Sequence, residues 1–87
     1  MGEGSLTKKQ LSGVSLATLI EGKLRQYLDV LGSDLGGELY DRVMREVERP
    51  LIDLSLKTCQ GNKVRTAALL GISRNTLKRK MEELGLA

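Results

Sequence analysis

Four of the seven residues from Arg74 to Lys80 are basic: Arg74, Lys78, Arg79 and Lys80. Asn75 and Thr76 lie among them, and Ser73 stands just ahead. The chemistry open to such a set is recognition rather than bond breaking. Guanidinium and ammonium groups hold phosphates, and Arg, Asn and Thr side chains hydrogen-bond base edges. Catalytic constellations are missing from the sequence. It has no histidine, Cys59 is its single cysteine, and no nucleophile stands beside a base. A zinc set needs more thiols or imidazoles than this chain owns. The expectation is a chain that is no enzyme, binds no metal and needs no cofactor or small-molecule substrate.

Charge distribution points the same way. Residues 1–37 carry four cations and four anions, and residues 38–60 carry four and five. Residues 61–87 carry six cations against two anions, a net of +4 within a chain whose total is +3. The excess sits in the last third, as it would where a polyanion is bound.

The elements that must position these cations can be read from spacing. Lys63 to Leu70 reads as a short helix, closed off from what precedes it by Gly61 and capped by Asn62. Val64, Ala67, Ala68 and Leu70 are its small or medium apolar residues, and the adjacent alanines permit a close helix crossing. Gly71, Ile72 and Ser73 follow. Gly71 suits the positive φ that ends a helix, Ile72 can plug the gap beneath the turn, and Ser73 can cap the next helix. That helix runs from Arg74 to Leu84, with Gly85 as its stop. A short helix, a three-residue turn containing glycine and a second helix make a helix-turn-helix. At about 100° per residue, Leu77, Met81 and Leu84 form the buried stripe. Asn75, Thr76 and Arg79 then point outward, with Arg74, Lys78 and Lys80 on the flanks. Glu82 and Glu83 come later, where a helix would be leaving a DNA groove. A run of cations on a small helix is ordinarily only a solvated face. The turn chemistry, the alanine pair and the charge segregation weigh against that bland reading.

Upstream, Leu16, Leu19, Ile20, Leu24, Tyr27, Leu28 and Leu31 recur at three- and four-residue spacing. They predict an amphipathic helix over 15–31, capped by Ser15 and ended by Gly32. Residues 32–37 read as a short loop, so the helices it joins should pack as antiparallel neighbours. A second helix is expected from Glu38 to Cys59, with Leu39, Tyr40, Val43, Met44, Val47, Leu51, Leu54 and Cys59 in its apolar pattern. Pro50 falls inside it. The pattern resumes directly after Pro50, which favours one kinked helix over two broken ones. Cys59, Met44 and Met81 are expected as core fillers. No period-two alternation and no internal repeat occur. Residues 1–14 read as a disordered start with no signal peptide, and no stretch is apolar enough to cross a membrane. A lone cysteine without an export signal fits the cytoplasm. Eighty-seven residues with two aromatics build only a small aliphatic core, so oligomerisation is the remaining route to extra burial.

The stretch "RPLIDLSLKTCQGNKVRTAALLGISRNTLKRKMEELGL", residues 49–86, resembles the Fis family of DNA-binding domains. That family includes the stand-alone nucleoid protein Fis and the C-terminal domains of NtrC-type enhancer-binding activators. The resemblance rests on Pro50-Leu51, Gly61-Asn62, Ala67-Ala68 and "LLGISRNTLKRK" at 69–80. "ELYDRVMREVERPLI", residues 38–52, and "RNTL", residues 74–77, look more like the NtrC branch. The resemblance implies an all-α fold of four helices, with the first two helices of two chains interlocked in a homodimer. Residues 15–58 would then dimerise, through Leu16, Leu19, Ile20, Leu24, Leu28, Val43 and Val47, and residues 61–87 would bind DNA. It further implies that Ser73, Arg74, Thr76 and Arg79 occupy DNA-contact positions. Lys78 and Lys80 occupy basic positions near the phosphate backbone, and Asn62 and Arg65 the start of the motif's first helix. Val64 departs from the pattern, standing where stand-alone Fis has a polar residue able to contact phosphate.

The expected function is sequence-specific binding of a palindromic operator or enhancer in double-stranded DNA. It would be exercised by a homodimer, as the DNA-binding domain of a bacterial NtrC-family transcriptional regulator in the cytoplasm, at the nucleoid. The receiver and ATPase domains normal to that branch have no place within these residues, which contain no Gly-rich lysine loop. Two alternatives stay open. One is a stand-alone, DNA-bending, nucleoid-associated protein like Fis. The other is a helical protein-interaction module whose basic helix meets an acidic partner.

Overall fold

The computed structural model describes residues 13, 15–31 and 36–87. The expected disordered start, Gly13 apart, lies outside the described residues, as do Gly32 and most of the 32–37 loop. The described residues form helices without strands: α1 (Leu16–Leu31), α2 (Leu39–Thr58), α3 (Lys63–Leu70) and α4 (Arg74–Glu83). The chain divides into two compact units at Gly36/Gly37, each described by itself.

In the first unit, Ser15 caps α1 as expected: its Oγ accepts the Thr18 N–H at 3.0 Å. Arg25 pairs with Glu21 at 2.7 Å on an open surface, where such a pair adds little. No residue of α1 is buried. Leu16 is 70% exposed, and Leu19 and Leu28 are more than half exposed. Ile20, Leu24, Tyr27 and Leu31 are only half-covered.

The second unit has a closed core. Ile52 of α2, Ala67 of α3, and Leu77, Met81 and Leu84 of and after α4 are buried together, with Leu56, Leu70, Ile72 and Leu86 packed around them. Leu77 is 1% exposed, a burial that contributes about 1.5–3 kcal/mol. The helix ends are built from local chemistry. Asn62 Oδ1 accepts the Arg65 N–H. Gly71, at φ 76°, closes α3, with the Ile72 N–H bonded to the Ala67 carbonyl at 3.1 Å. That six-to-one bond with a left-handed glycine is a Schellman closure.

α2 continues through Pro50 as one helix, although proline supplies no N–H to the ladder. The structure corrects the sequence reading of which side of α2 is core. The expected apolar pattern omitted Ile52 and Leu56 and included Tyr40, Leu51 and Leu54. Ile52 is buried and Leu56 packs on the core, whereas Tyr40, Leu51 and Leu54 are exposed. At about 100° per residue, Tyr40, Val43, Val47, Leu51 and Leu54 form one stripe. Ile52, Ser55, Leu56 and Cys59 form another, roughly perpendicular or beyond. α2 is therefore apolar on two sides, and α3 and α4 cover only one of them. Cys59 is buried and Met81 is core, as expected, while Met44 is half-covered. Of the alanine pair, Ala67 alone faces the crossing; Ala68 is exposed, because its place on α3 is about 100° further round.

Candidate nucleic-acid interface

α4 is positioned at both ends and along one side. At its start, Ser73 Oγ accepts the Thr76 N–H at 3.0 Å and bonds Thr76 Oγ1 at 2.9 Å. This satisfies one of the donors that every helix N-terminus leaves open. At its end, Gly85 at φ 72° lets the chain turn back, and the Leu86 N–H reaches the Met81 carbonyl at 2.8 Å. Arg49 Nη1 donates to the Leu84 carbonyl oxygen, a cation placed where the helix C-terminus is negative. Along the side, Lys80 Nζ lies 2.8 Å from Glu48 Oε2, with both side chains about one quarter exposed (26% and 25%). Glu48 and Arg49, consecutive residues just ahead of Pro50, thus grip the last two turns of α4.

With Leu77 and Met81 turned inward, the opposite side of α4 carries Asn75, Arg79 and Glu82. Arg74, Asn75, Lys78 and Arg79 are all exposed. Arg74, Asn75, Lys78 and Glu82 share a shallow hollow with Lys63 from the start of α3. Arg65 is exposed beside it in sequence, on the first turn of α3. The result is a band of guanidinium and ammonium groups over the starts of α3 and α4. Such a band offers donors in quantity and no buried acid or base, which suits an anionic, hydrogen-bonding surface rather than a reaction.

The expected site residues divide into groups. Arg65, Arg74, Asn75, Lys78 and Arg79 present their side chains outward. Ser73 and Asn62 are exposed but serve as helix caps. Thr76 is half-buried, with its hydroxyl held by Ser73. Lys80 stands on the flank facing α2, bound to Glu48, and not among the outward cations. Arg79 lies 3.8 Å from Glu83 in an open ion pair. Sequence reasoning missed Glu48 and Arg49. The charge pair directly before a helix proline was the available signal, but nothing in local spacing says which distant helix it meets. It also missed Thr66, fully buried, whose hydroxyl donates to the Asn62 carbonyl at 2.8 Å. A buried threonine closing on the residue four back is legible only once its helix face is known.

A family model described as "Bacterial regulatory protein, Fis family" matches residues 43–84, from the second turn of α2 to just past the end of α4. "DNA-binding protein Fis" of Pasteurella multocida is 35% identical over 80 residues, which cover 92% of this chain and 81% of that protein. The chain belongs to the Fis family. Fis of Tolumonas auensis is 39% identical over 67 residues, 77% of this chain and 68% of that protein. "DNA-binding transcriptional regulator NtrC" of Azospirillum brasilense is 44% identical over 75 residues, 85% of this chain but 16% of that protein. The chain therefore spans about one sixth of the NtrC relatives it matches. No solved structure matches. Membership in the Fis family agrees with the all-α architecture and with a helix-turn-helix made of α3 and α4.

Proposed function

We propose that this chain binds double-stranded DNA sequence-specifically, as the DNA-binding module of an NtrC-type bacterial transcriptional regulator, and that it does so as a homodimer. The single observation that carries the reading is the build of α4. A Ser73-capped helix is tied to α2 at two points and presents Arg74, Asn75, Lys78 and Arg79 to the outside. Arg74 and Arg79 are assigned to base edges, since a planar guanidinium can bond guanine O6 and N7 together. Lys78, with Arg65 and Lys63, is assigned to phosphates. The helix start near Asn62 and the Ser73 cap face the backbone beside them.

Dimerisation is inferred from apolar surface that the chain leaves uncovered. α1 buries nothing, and α2 keeps Tyr40, Leu51 and Leu54 exposed beside half-covered Val43 and Val47. A second copy with the same stripes would cover both by twofold symmetry. The NtrC assignment draws on the 44% identity of the Azospirillum brasilense regulator. The competing reading, a stand-alone protein like Fis, draws on an alignment that covers 81% of the Pasteurella multocida protein.

The test is selection from a random pool of duplexes, followed by affinity measurements across salt concentrations. The proposal expects an inverted repeat to be enriched and to bind far more tightly than random duplex of equal length, with affinity falling steeply as salt rises. Equal, weak binding to every duplex would refute sequence-specific recognition. Binding to an acidic protein surface with none to duplex would favour the interaction-module alternative.

A further inference from the structure

The ion pair between Glu48 and Lys80 has an unusual placement for a protein that must attract phosphate. Lys80 follows Arg79 directly, on the helix proposed to enter DNA, yet its ammonium is spent on a carboxylate of α2. The pair is short, 2.8 Å, and both partners are three-quarters covered. Tyr40, Met44 and Arg45 of α2 and Glu83 of α4 line the hollow on one side of it, and Leu51, Ile52, Leu70 and Ile72 line the other. By contrast, Lys78, two residues earlier, is exposed. The same residue type within one turn of one helix is thus offered to solvent in one case and withheld in the other. Glu48 is what withholds it.

We propose that Glu48 sequesters Lys80 and so limits sequence-independent attraction to DNA. This rests on the duplex-binding reading given above. The physical argument is a competition. Each lysine that neutralises a phosphate releases condensed counterion and strengthens binding to all duplexes alike. That gain does not discriminate between sites, and non-specific sites vastly outnumber specific ones. A carboxylate that holds one recognition-helix lysine in a half-buried pair removes that cation from the non-specific total. The lysine instead helps to set the angle of α4 on α2, and hence the aim of Arg74 and Arg79. Lysine is suited to this double fate. Its long flexible stem and compact charge let it swing from a carboxylate to a phosphate when the carboxylate is removed.

The test compares four proteins: the unsubstituted chain, Glu48→Gln, Lys80→Gln, and the double variant. Each is titrated with a random-sequence duplex and with the selected inverted repeat, at several salt concentrations. Glutamine keeps the size of Glu48 and an oxygen that can accept from Nζ, so packing is preserved, and a thermal melt checks this. Glu48→Gln is expected to increase the salt slope on random duplex by about one, which makes the loss of affinity between 50 and 200 mM salt roughly fourfold larger. The same change should appear on the inverted repeat, so the preference between the two duplexes should be retained. Lys80→Gln alone is expected to leave the slope unchanged, because its charge is already engaged. The double variant should return to the unsubstituted slope. Three results would overturn the proposal. One is a slope reduced by about one in Lys80→Gln, which would make Lys80 a phosphate contact despite Glu48. Another is an increase that persists in the double variant, which would reduce Glu48 to a generic repulsive charge. The third is an unchanged slope in Glu48→Gln with only a lowered melting temperature, which would leave a purely structural pair. Failure of the underlying reading looks different: the unsubstituted chain itself would show no salt-dependent binding to either duplex.

Discussion

α1 and α4 are both amphipathic helices, yet they sit in opposite conditions. α4 has ten residues, and its Leu77 and Met81 are buried beneath α2 and α3. α1 has sixteen residues and more large apolar side chains, and buries none of them. The difference is not one of sequence quality, since α1 has the wider apolar stripe. It is one of partners. α4 finds its cover within its own unit, from α2 and α3, and the stripe of α1 is left for the proposed second copy. α2 combines the two conditions in one helix, with Ile52, Ser55 and Cys59 buried on one side and Tyr40, Leu51 and Leu54 exposed on another. A region that folds on itself and a region proposed to fold on a second copy should respond differently to substitution and to concentration.

The largest expected effect tests the uncovered region. Leu24→Asp places a charge in the proposed interface twice per dimer, and the lost leucine burial alone amounts to about 3–6 kcal/mol per dimer. Sedimentation should show dissociation to monomer or unfolded chain. A stable dimer in Leu24→Asp, or a folded monomer of the unsubstituted protein at micromolar concentration, would erase the contrast drawn between α1 and α4.

Leu77→Ala probes the self-contained region. A buried leucine truncated to alanine costs about 2–5 kcal/mol, and here it removes the centre of the small core that holds α4. Thermal unfolding should show that loss. If the region does close on itself, hydrogen exchange in α3 and α4 should rise more than in α1.

Recognition comes next in size. Arg74→Ala and Arg79→Ala should each cost about 1–3 kcal/mol on the selected site and relax preference at one position per half-site. Unchanged base preference in both would turn these arginines into phosphate clamps and move specificity to Asn75, Thr76 and DNA shape. Ser73→Ala removes the cap of α4 and should lower stability by about 1 kcal/mol, read as a fall in melting temperature. The smallest effect is expected at Lys78. Alanine there should weaken binding to all sequences alike and reduce the salt slope by about one.

Much of the helix-turn-helix was legible in the sequence for a physical reason: its determinants are local. Asn62, Gly71, Ser73 and Gly85 each act within a few residues through a cap or a left-handed φ, so their spacing alone brackets α3 and α4. The stripe of Leu77, Met81 and Leu84 was legible for the same reason. What escaped was long-range. Periodicity finds that α2 is apolar but not which of its faces is covered, so Ile52 and Leu56 were passed over in favour of Leu51 and Leu54. The pairing of Glu48 with Lys80, and of Arg49 with the Leu84 carbonyl, joins residues more than thirty positions apart. Lys80 accordingly read as a flanking cation near phosphate, with no partner on α2. Burial of Thr66 depended on the same missing knowledge of which way α3 faces.

In the proposed dimer, the uncovered stripes of α1 and α2 join two chains so that two copies of α4 read one duplex together. Helix-turn-helix dimers place such half-sites about 34 Å apart, one helical turn, and a closer spacing requires the DNA to bend. The most direct measurement is a stoichiometric titration of the selected inverted repeat against a duplex holding a single half-site, at one salt concentration. Two chains per inverted repeat are expected, bound in one cooperative step, with markedly weaker binding to the single half-site. One chain per half-site, bound independently and with equal affinity on both duplexes, would contradict the proposed dimer.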